Sequence, residues 1–486
     1  MAKRSKRRPR GRRVTAKRPR LLTVRAVRGV AEPCHGERTS IRFKHRDLAD
    51  LRSRLLGDLS QEYFAVLLAK ERVAGDLRVL TVLDVRHPSP EDYRRQSRSG
   101  LEVDFDSFMR DVLVEAHERI DVDTVIDVHT HPFSESQAWF SGIDDADEAS
   151  FATYLSERGL KYASVVFTQT TYRARYWRVD EKGAAQPSPA TVKTQTASEA
   201  IASPDDAVCL DEPDAMFDRG VRALGLDSMR RIAAAQAVTV VGVGGLGSVI
   251  AEHLVHMGFP RIKLVDFDVL EVTNMNRIVG ATMADAEAGR LKVDVVRDHL
   301  LAINPSAEIE TLAVSVFDDA AERAIVDSDW ILVATDNHAS RLHVQELCFA
   351  YFVPFITAGV NITVEDGRVA DMSGEVILVR MGDHVCLSCL GRVDYDEVAR
   401  ETHPDPTVRE GLVAKGYVRG ADVKEPAVKT LNTHLATMAV DTLVNQYTGR
   451  RRDVPILVYE DNDLPAIYED HESVERRNLN CSMCHI

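Results

Sequence analysis

Three groups of side chains in this 486-residue chain have the types and spacing to do chemistry. In VIDVHTHPFSESQAWFSGIDDAD, His129 and His131 stand two apart on a run that alternates like a strand. Both imidazoles then face one side and can grip one metal ion. Asp144 arrives from the next segment as a third ligand, leaving a fourth position for water, the open geometry of a catalytic zinc. Glu62, in SQEYFAVLLAK, is the choice for the base that takes the water's proton, with Glu71 its rival. Ser141 can hydrogen-bond a developing oxyanion.

The second group lies in VTVVGVGGLGSVIAEHLVHMG. Gly242, Gly244, Gly245 and Gly247 stand between a buried strand and a helix, where the backbone can turn sharply and a helix N-terminus favours an anion. Asp266 ends the next strand, where a ribose-binding acid belongs. A dehydrogenase would fit that much. The residues that follow suit polyphosphate and magnesium better: Asp268, Asn274, Asn276, Arg277, Lys292, Asp336, Asn337 and Arg341 come in order at successive strand ends. The plainer reading of Asn274–Arg277 is a helix cap and surface charge.

The third group is two C-x-x-C pairs, Cys386/Cys389 and Cys481/Cys484. Thiolates at that spacing can grip one tetrahedral zinc, and two pairs close a structural site with no open position. Of the other cysteines, Cys348 lies in an apolar helical run and reads as packing; Cys34 and Cys209 have no assigned role. The cysteine usage suggests a reducing compartment, so a cytoplasmic location is expected.

The elements that must hold these groups read as two units. Strand-like runs at 79–86, 124–131 and 162–179 flank a helix near 107–120, which makes an α+β domain at 22–180. The Ala-, Ser-, Thr- and Pro-rich stretch 181–205 reads as a linker. Beyond it, residues 206–486 alternate strand and helix, so the overall class is α/β with a doubly wound parallel sheet. Residues 1–21 read as a disordered basic tail. Its first twenty residues carry eleven Lys/Arg and no acid; subtracting them from the net charge of −14 leaves −25 on the other 466. Nucleic acid is expected only through this tail. No apolar run is long enough to span a membrane, and no h-region marks a secretory signal.

Two resemblances follow from these residues. G-x-G-G-x-G, D-x-D, N-x-N-R, a lysine and T-D-N resemble the ubiquitin-activating-enzyme-like adenylyltransferases (the ThiF/MoeB/HesA group) over about residues 213–486. The resemblance implies a Rossmann-like fold that uses ATP and magnesium to adenylate the C-terminal glycine of a ubiquitin-like or sulfur-carrier protein. It implies ribose contacts from Asp266 and Asp268, phosphate contacts from Asn274, Arg277 and Lys292, and magnesium at Asp336. It also implies a homodimer, with Arg219 of MFDRGVRALG reaching the partner's site; here Phe217 and Gly220 depart from the family's Y-x-R-Q. Both cysteine pairs have family counterparts. The partner would be a protein tail, and a conjugating enzyme or sulfurtransferase would act next. The segment 391–430 would cover that tail.

H-T-H-P followed by S-x-x-D, after an earlier glutamate, resembles the JAB/MPN metalloproteases over about residues 35–180. Eight residues separate Pro132 from Ser141, about two more than the family pattern, which reads as a loop insertion. This resemblance implies zinc-dependent cleavage of peptide or isopeptide bonds after ubiquitin-like C-termini.

Overall fold

β-Branched runs and a Gly-Asp turn shape the first half. Strands β2 (Phe64–Ala74) and β3 (Leu77–Arg86) form a hairpin around Gly75, whose φ of 63° is costly for residues with a side chain. The computed structural model describes residues 37–197, 200–201, 215–405 and 427–484. Residues Glu37–Ile486 cluster as one unit; Met1–Gly36, including the basic tail and Cys34, lie outside the described residues, as does Cys209.

The front part runs β1 (Arg38–Arg42), α1 (Asp47–Leu55), β2, β3, β4 (Tyr93–Ser97), β5 (Gly100–Val103), α2 (Arg110–Glu118), β6 (Thr124–Thr130), α3 (Gly142–Ser156), β7 (Lys161–Phe167), β8 (Tyr172–Val179) and β9 (Ala185–Lys193). The order β1-β3-β2-β6-β7-β8-β9 closes into a barrel, because β1 pairs with both β3 and β9. Its inner face is an apolar core that includes Ile41, Leu67, Val128 and Phe167. Helices α2 and α3 cover a second cluster built on Val66, Val125 and Trp177.

The rear part runs α4 (Asp218–Leu224), α5 (Leu226–Ala233), β10 (Val238–Val241), α6 (Gly247–Met257), β11 (Arg261–Val265), α7 (Met283–Glu287), α8 (Lys292–Ile303), β12 (Glu308–Leu312), α9 (Asp319–Val326), β13 (Trp330–Val333), α10 (His338–Tyr351), β14 (Phe355–Glu365), β15 (Arg368–Val379), α11 (Tyr395–Glu401), α12 (Lys429–Thr448), β16 (Ile456–Glu460), β17 (Ala466–Glu469) and α13 (His471–Glu475). The expected parallel sheet is present as β12-β11-β10-β13-β14, and β15, β16 and β17 extend it antiparallel. Strand order reverses beside β10, which opens a crevice at the carboxyl ends of β10 and β13. No helix among the described residues is long and apolar enough to cross a membrane.

The structure corrects the linker read at 181–205. Ala185–Lys193 is β9, and Gln195 and Thr196 beyond it are buried. Pro187 and Pro189 suggested a loop, but both precede Ala190, where β1 begins to pair along the other edge of β9. The barrel and the sheet then meet directly. Buried Arg42 donates to the carbonyls of Val326 at 2.7 Å and Tyr351 at 3.0 Å, the last residues of α9 and α10. Gln195 accepts from the Met381 amide at 2.8 Å, and Lys193 pairs with Asp329 at 2.8 Å.

Candidate functional sites

The front site is built on one strand, one helix start and one strand extension. His129 is the penultimate residue of β6, and His131 stands just past the strand's end with its amide bonded to the Phe167 carbonyl at 2.8 Å. The ligand atoms of His129, His131 and Asp144 all lie within 4.8 Å of one another, and His129 Nε2 stands 3.9 Å from Asp144 Oδ1. His129 Nε2 and His131 Nδ1 are buried without a hydrogen-bond partner. Burial pushes His129 down to about 4 and lowers His131 as well, so both imidazoles are neutral, the ligating form. Two orphaned nitrogens beside a carboxylate are a donor set that a zinc ion fits.

Ser141 and Asp144 form a capping box at the start of α3. The Ser141 hydroxyl accepts from the Asp144 amide at 3.2 Å, and Asp144 Oδ2 accepts from the Ser141 amide at 2.5 Å. One carboxylate oxygen is thereby tied down and the other faces His129. Phe64 pairs with His129, and Tyr63 and Thr130 exchange bonds beyond them, so the same register sets Glu62 opposite His131. The β4–β5 hairpin holds Glu62 by its backbone: the Glu62 amide donates to Ser97 at 2.8 Å, and its carbonyl accepts from Gln96 at 2.9 Å. Burial, with the nearby Asp144 charge, pushes the Glu62 carboxyl up to about 7. The rival Glu71 is nine residues along, roughly 30 Å at strand rise. It is committed to Arg78 at 2.8 Å and Lys161 at 2.8 Å.

Sequence reasoning missed the rings around the ligands. His131 stacks on Phe133 at 5.1 Å and meets Trp139 at 5.1 Å, while Phe140 stands edge-on to His129 at 6.3 Å. All three rings come from the stretch between Pro132 and Ser141. Three aromatics in eight residues beside an H-x-H pair were the available signal.

In the rear crevice, β10 runs into Gly242 at φ 86°, where a Cβ would meet the Ala334 carbonyl oxygen at 2.9 Å. A Cβ on Gly247 would fall 1.8 Å from the Gly242 carbonyl oxygen, so the turn into α6 needs glycine there. Gly244 faces open space, and Gly245 abuts Arg277 and Asn432. Asp266 is half-buried, and desolvation raises its carboxyl; its two oxygens accept from the Val243 amide at 2.7 Å and the Asp268 amide at 2.9 Å. Asp268 pairs with Lys292 at 2.5 Å. Asn274 is a cap, its side-chain oxygen accepting from the Glu271 amide at 3.1 Å, while Arg277 is held to the Thr273 carbonyl at 2.9 Å. Asp336 is exposed in the loop that follows β13, and the next residue, Asn337, caps α10. The carboxylate of Glu401 on α11 accepts from the first amides of α10, His338 at 3.2 Å and Ala339 at 2.7 Å. Asn432 and Glu401 were not read from the sequence; each comes from a distant segment. Arg219 is exposed on α4, and Phe217 before it packs on Gly258 at the end of α6. The covering segment read at 391–430 is described only to 405 and from 427 on.

The four cysteines converge. Ligand atoms of Cys386, Cys481 and Cys484 lie within 4.8 Å of one another, and Cys389 Sγ accepts from the Cys386 amide at 3.1 Å. Cys386 and Cys481 sulfurs stand 3.7 Å apart. Thiolates bound at ~2.3 Å in a tetrahedron would be roughly 3.8 Å apart, so the set fits zinc. The hydrogen bond from the Cys386 thiol holds the Cys389 thiol down to about 6. Cys348 is fully buried in α10, where burial pushes its thiol up.

The sequence model of the ThiF family matches residues 217–484. Molybdopterin-synthase adenylyltransferase of Escherichia coli is 33% identical over 158 residues, 32% of this chain and 59% of that protein. Ubiquitin-like modifier-activating enzyme 5 of Caenorhabditis elegans is 31% identical over 166 residues, 32% of this chain and 37% of that protein. The chain thus spans 37–59% of the length of these relatives. A crystal structure of Escherichia coli MccB superposes with a TM-score of 0.43 at 18% identity, over 55% of this chain and 74% of that one.

Proposed function

Because this chain belongs to the ThiF family across residues 217–484, we propose that its rear part adenylates the C-terminal glycine of a ubiquitin-like or sulfur-carrier protein. ATP and magnesium would be the co-substrates. The observation that carries this reading is the crevice itself: a glycine turn with no room for side chains at Gly242, Gly245 and Gly247, followed by Asp266 and Asp268 after β11, Arg277, Lys292 at the start of α8, and Asp336 after β13. Asp266 and Asp268 would hold ribose. Asn274, Arg277 and Lys292 would bind phosphates, and Asp336 magnesium. The Lys292–Asp268 pair would have to part, freeing the cation to offset charge growing on the α-phosphate as the tail carboxylate attacks. Arg219, exposed in one chain, would complete the site of a second copy in a homodimer.

The front part would be a zinc-dependent (iso)peptidase of JAB/MPN type that trims or removes the same protein. His129, His131 and Asp144 would hold the ion, which lowers the pKa of water toward ~7 and polarises a carbonyl. Glu62 takes up a proton opposite His131 and returns it to the leaving amine. Ser141 donates its hydroxyl to the carbonyl oxygen, and the Phe133, Trp139 and Phe140 rings exclude water. Support comes from two lowered imidazoles, each with one buried, unpartnered nitrogen, and from a glutamate raised to about 7 beside them.

One observation favours thiocarboxylate formation over a thioester relay. Among the described residues, four cysteines are grouped as zinc ligands and Cys348 is buried. The test incubates the full chain with ATP, magnesium and a ubiquitin-like or sulfur-carrier protein, then weighs that protein. An adenylate supports the rear assignment; a conjugate or, with a sulfur donor, a thiocarboxylate separates the two fates. No ATP-dependent change of mass in any candidate tail would refute it.

A further inference from the structure

Behind the front ligands lies a charged cluster, buried at Arg175 and Glu148, that no ligand role uses. Arg175 of β8 is 8% exposed. Its Nε donates to Glu148 Oε2 at 2.8 Å and its Nη1 to Asp145 Oδ1 at 2.5 Å. Glu148 also accepts from the Trp177 indole at 2.9 Å and from the Ser164 hydroxyl. The guanidinium lies 3.7 Å over the Phe140 ring, which in turn stands edge-on to His129. Asp145 and Glu148 follow Asp144 by one and four positions on α3. One cation therefore grips this helix on its first and second turns, directly beside the third ligand.

Holding α3 on the barrel does not require that cation. Ala152 and Leu155 already pack α3 into an apolar cluster, and replacing a buried ion pair with apolar residues is often neutral for stability. Apolar packing leaves the slide and rotation of a helix less sharply defined, whereas a forked guanidinium sets both by directional bonds. The capping box fixes Asp144 relative to its own helix turn; the Arg175 grip fixes that turn relative to β6 through the sheet.

We propose that Arg175 is a positioning residue of the front metal site, setting the first turn of α3 so that Asp144 Oδ1 faces His129. The proposal rests on reading His129, His131 and Asp144 as zinc ligands. Its test strips zinc from the front site of the full chain by mild chelation and returns it in competition with a chelator of known affinity. The rear zinc serves as an internal count. In Arg175→Ala the front affinity falls 10- to 100-fold while the rear zinc stays. Arg175→Lys, which can reach one acid but not both, recovers part of the loss. Asp145→Asn, at a side chain 59% exposed, removes only the first-turn tether and weakens zinc by less. A purely structural role would instead lower thermal stability without changing zinc affinity in the folded chain, and that result overturns the proposal. So does unchanged affinity in Asp145→Asn, even if Arg175→Ala fails to fold. A wild-type chain that takes up only the rear zinc fells the ligand reading itself, which the wild-type count separates from failure of the positioning role.

Discussion

The two metal-ligand sets of this chain differ in what they leave free. The rear set is four thiols, none more than 6% exposed, with Cys386 and Cys481 separated by 95 positions. Four sulfurs would complete a zinc tetrahedron and leave such an ion no role but to hold chain segments together. The front set offers three ligands from His129 to Asp144, beside a carboxyl raised to about 7 and a ring of aromatics. Three ligands leave a position for chemistry. With zinc in both, the difference would be one of ligand number and neighbourhood.

Breaking the closed set should have the largest effect. The C-terminus is tied to the first knuckle by the Asn478 amide on the Cys389 carbonyl at 2.9 Å and by Arg477 on the His384 carbonyl at 3.0 Å. Structural zinc supplies about 10–16 kcal/mol in small domains, comparable to or above the stability of most folds. Cys481→Ser should therefore lose one zinc and unfold or aggregate the rear part, as read by metal analysis and thermal denaturation. A soluble variant with an unchanged melting curve would show that the four thiols are not a structural clamp.

Next comes Glu62→Gln, which keeps the shape of the side chain and removes its ability to take a proton. Hydrolysis beyond the partner's terminal glycine should fall by about two to four orders of magnitude with both zincs still bound. Full cleavage would assign the base elsewhere, and loss of zinc would make Glu62 part of the metal's support. Asp336→Ala probes the other half. ATP–pyrophosphate exchange with the cognate protein should drop by about 10²–10³ while peptidase activity is unaffected. Exchange near the wild-type rate would remove Asp336 from the magnesium site.

The smallest effect tests whether the two halves stand apart. Arg42→Met leaves the Val326 and Tyr351 carbonyls without their donor at the barrel–sheet contact. Two buried unsatisfied carbonyls cost about 2–4 kcal/mol, which urea unfolding would read as a lower midpoint. Burial presses Arg42 down to about 10, still well above neutral pH, so it faces those helix ends as a cation. An unchanged midpoint would mean that the contact contributes nothing to stability.

Local pattern made much of this legible. The glycine turn, the strand–helix alternation and the C-x-x-C pairs each show within about twenty residues, and the parallel sheet follows from them. H-x-H on an alternating run put two imidazoles on one face for the same reason. What stayed hidden depended on contacts between distant segments. β9 contains two prolines and little apolar content, so its pattern says loop; it is a strand because β8 and β1 supply edges for it. Glu401 and Asn432 reach the crevice from segments far along the chain, and nothing in their own neighbourhoods marks them.

By itself, the sequence determined which chemistries are available: thiolates in pairs, imidazoles two apart, a glycine turn before a helix, and acids and cations at strand ends. Those depend on residue type and on the 2.0 and 3.6 periodicities of the backbone. Only the tertiary structure gives Glu62 and Glu71 different surroundings. Both lie on the same stretch of chain, but pairing of β2 with β6 sets Glu62 opposite His131, where it is buried. The same barrel closure gives Glu71 to Arg78 and Lys161. A carboxyl's proton affinity is set by burial and neighbouring charge, and both are properties of the fold.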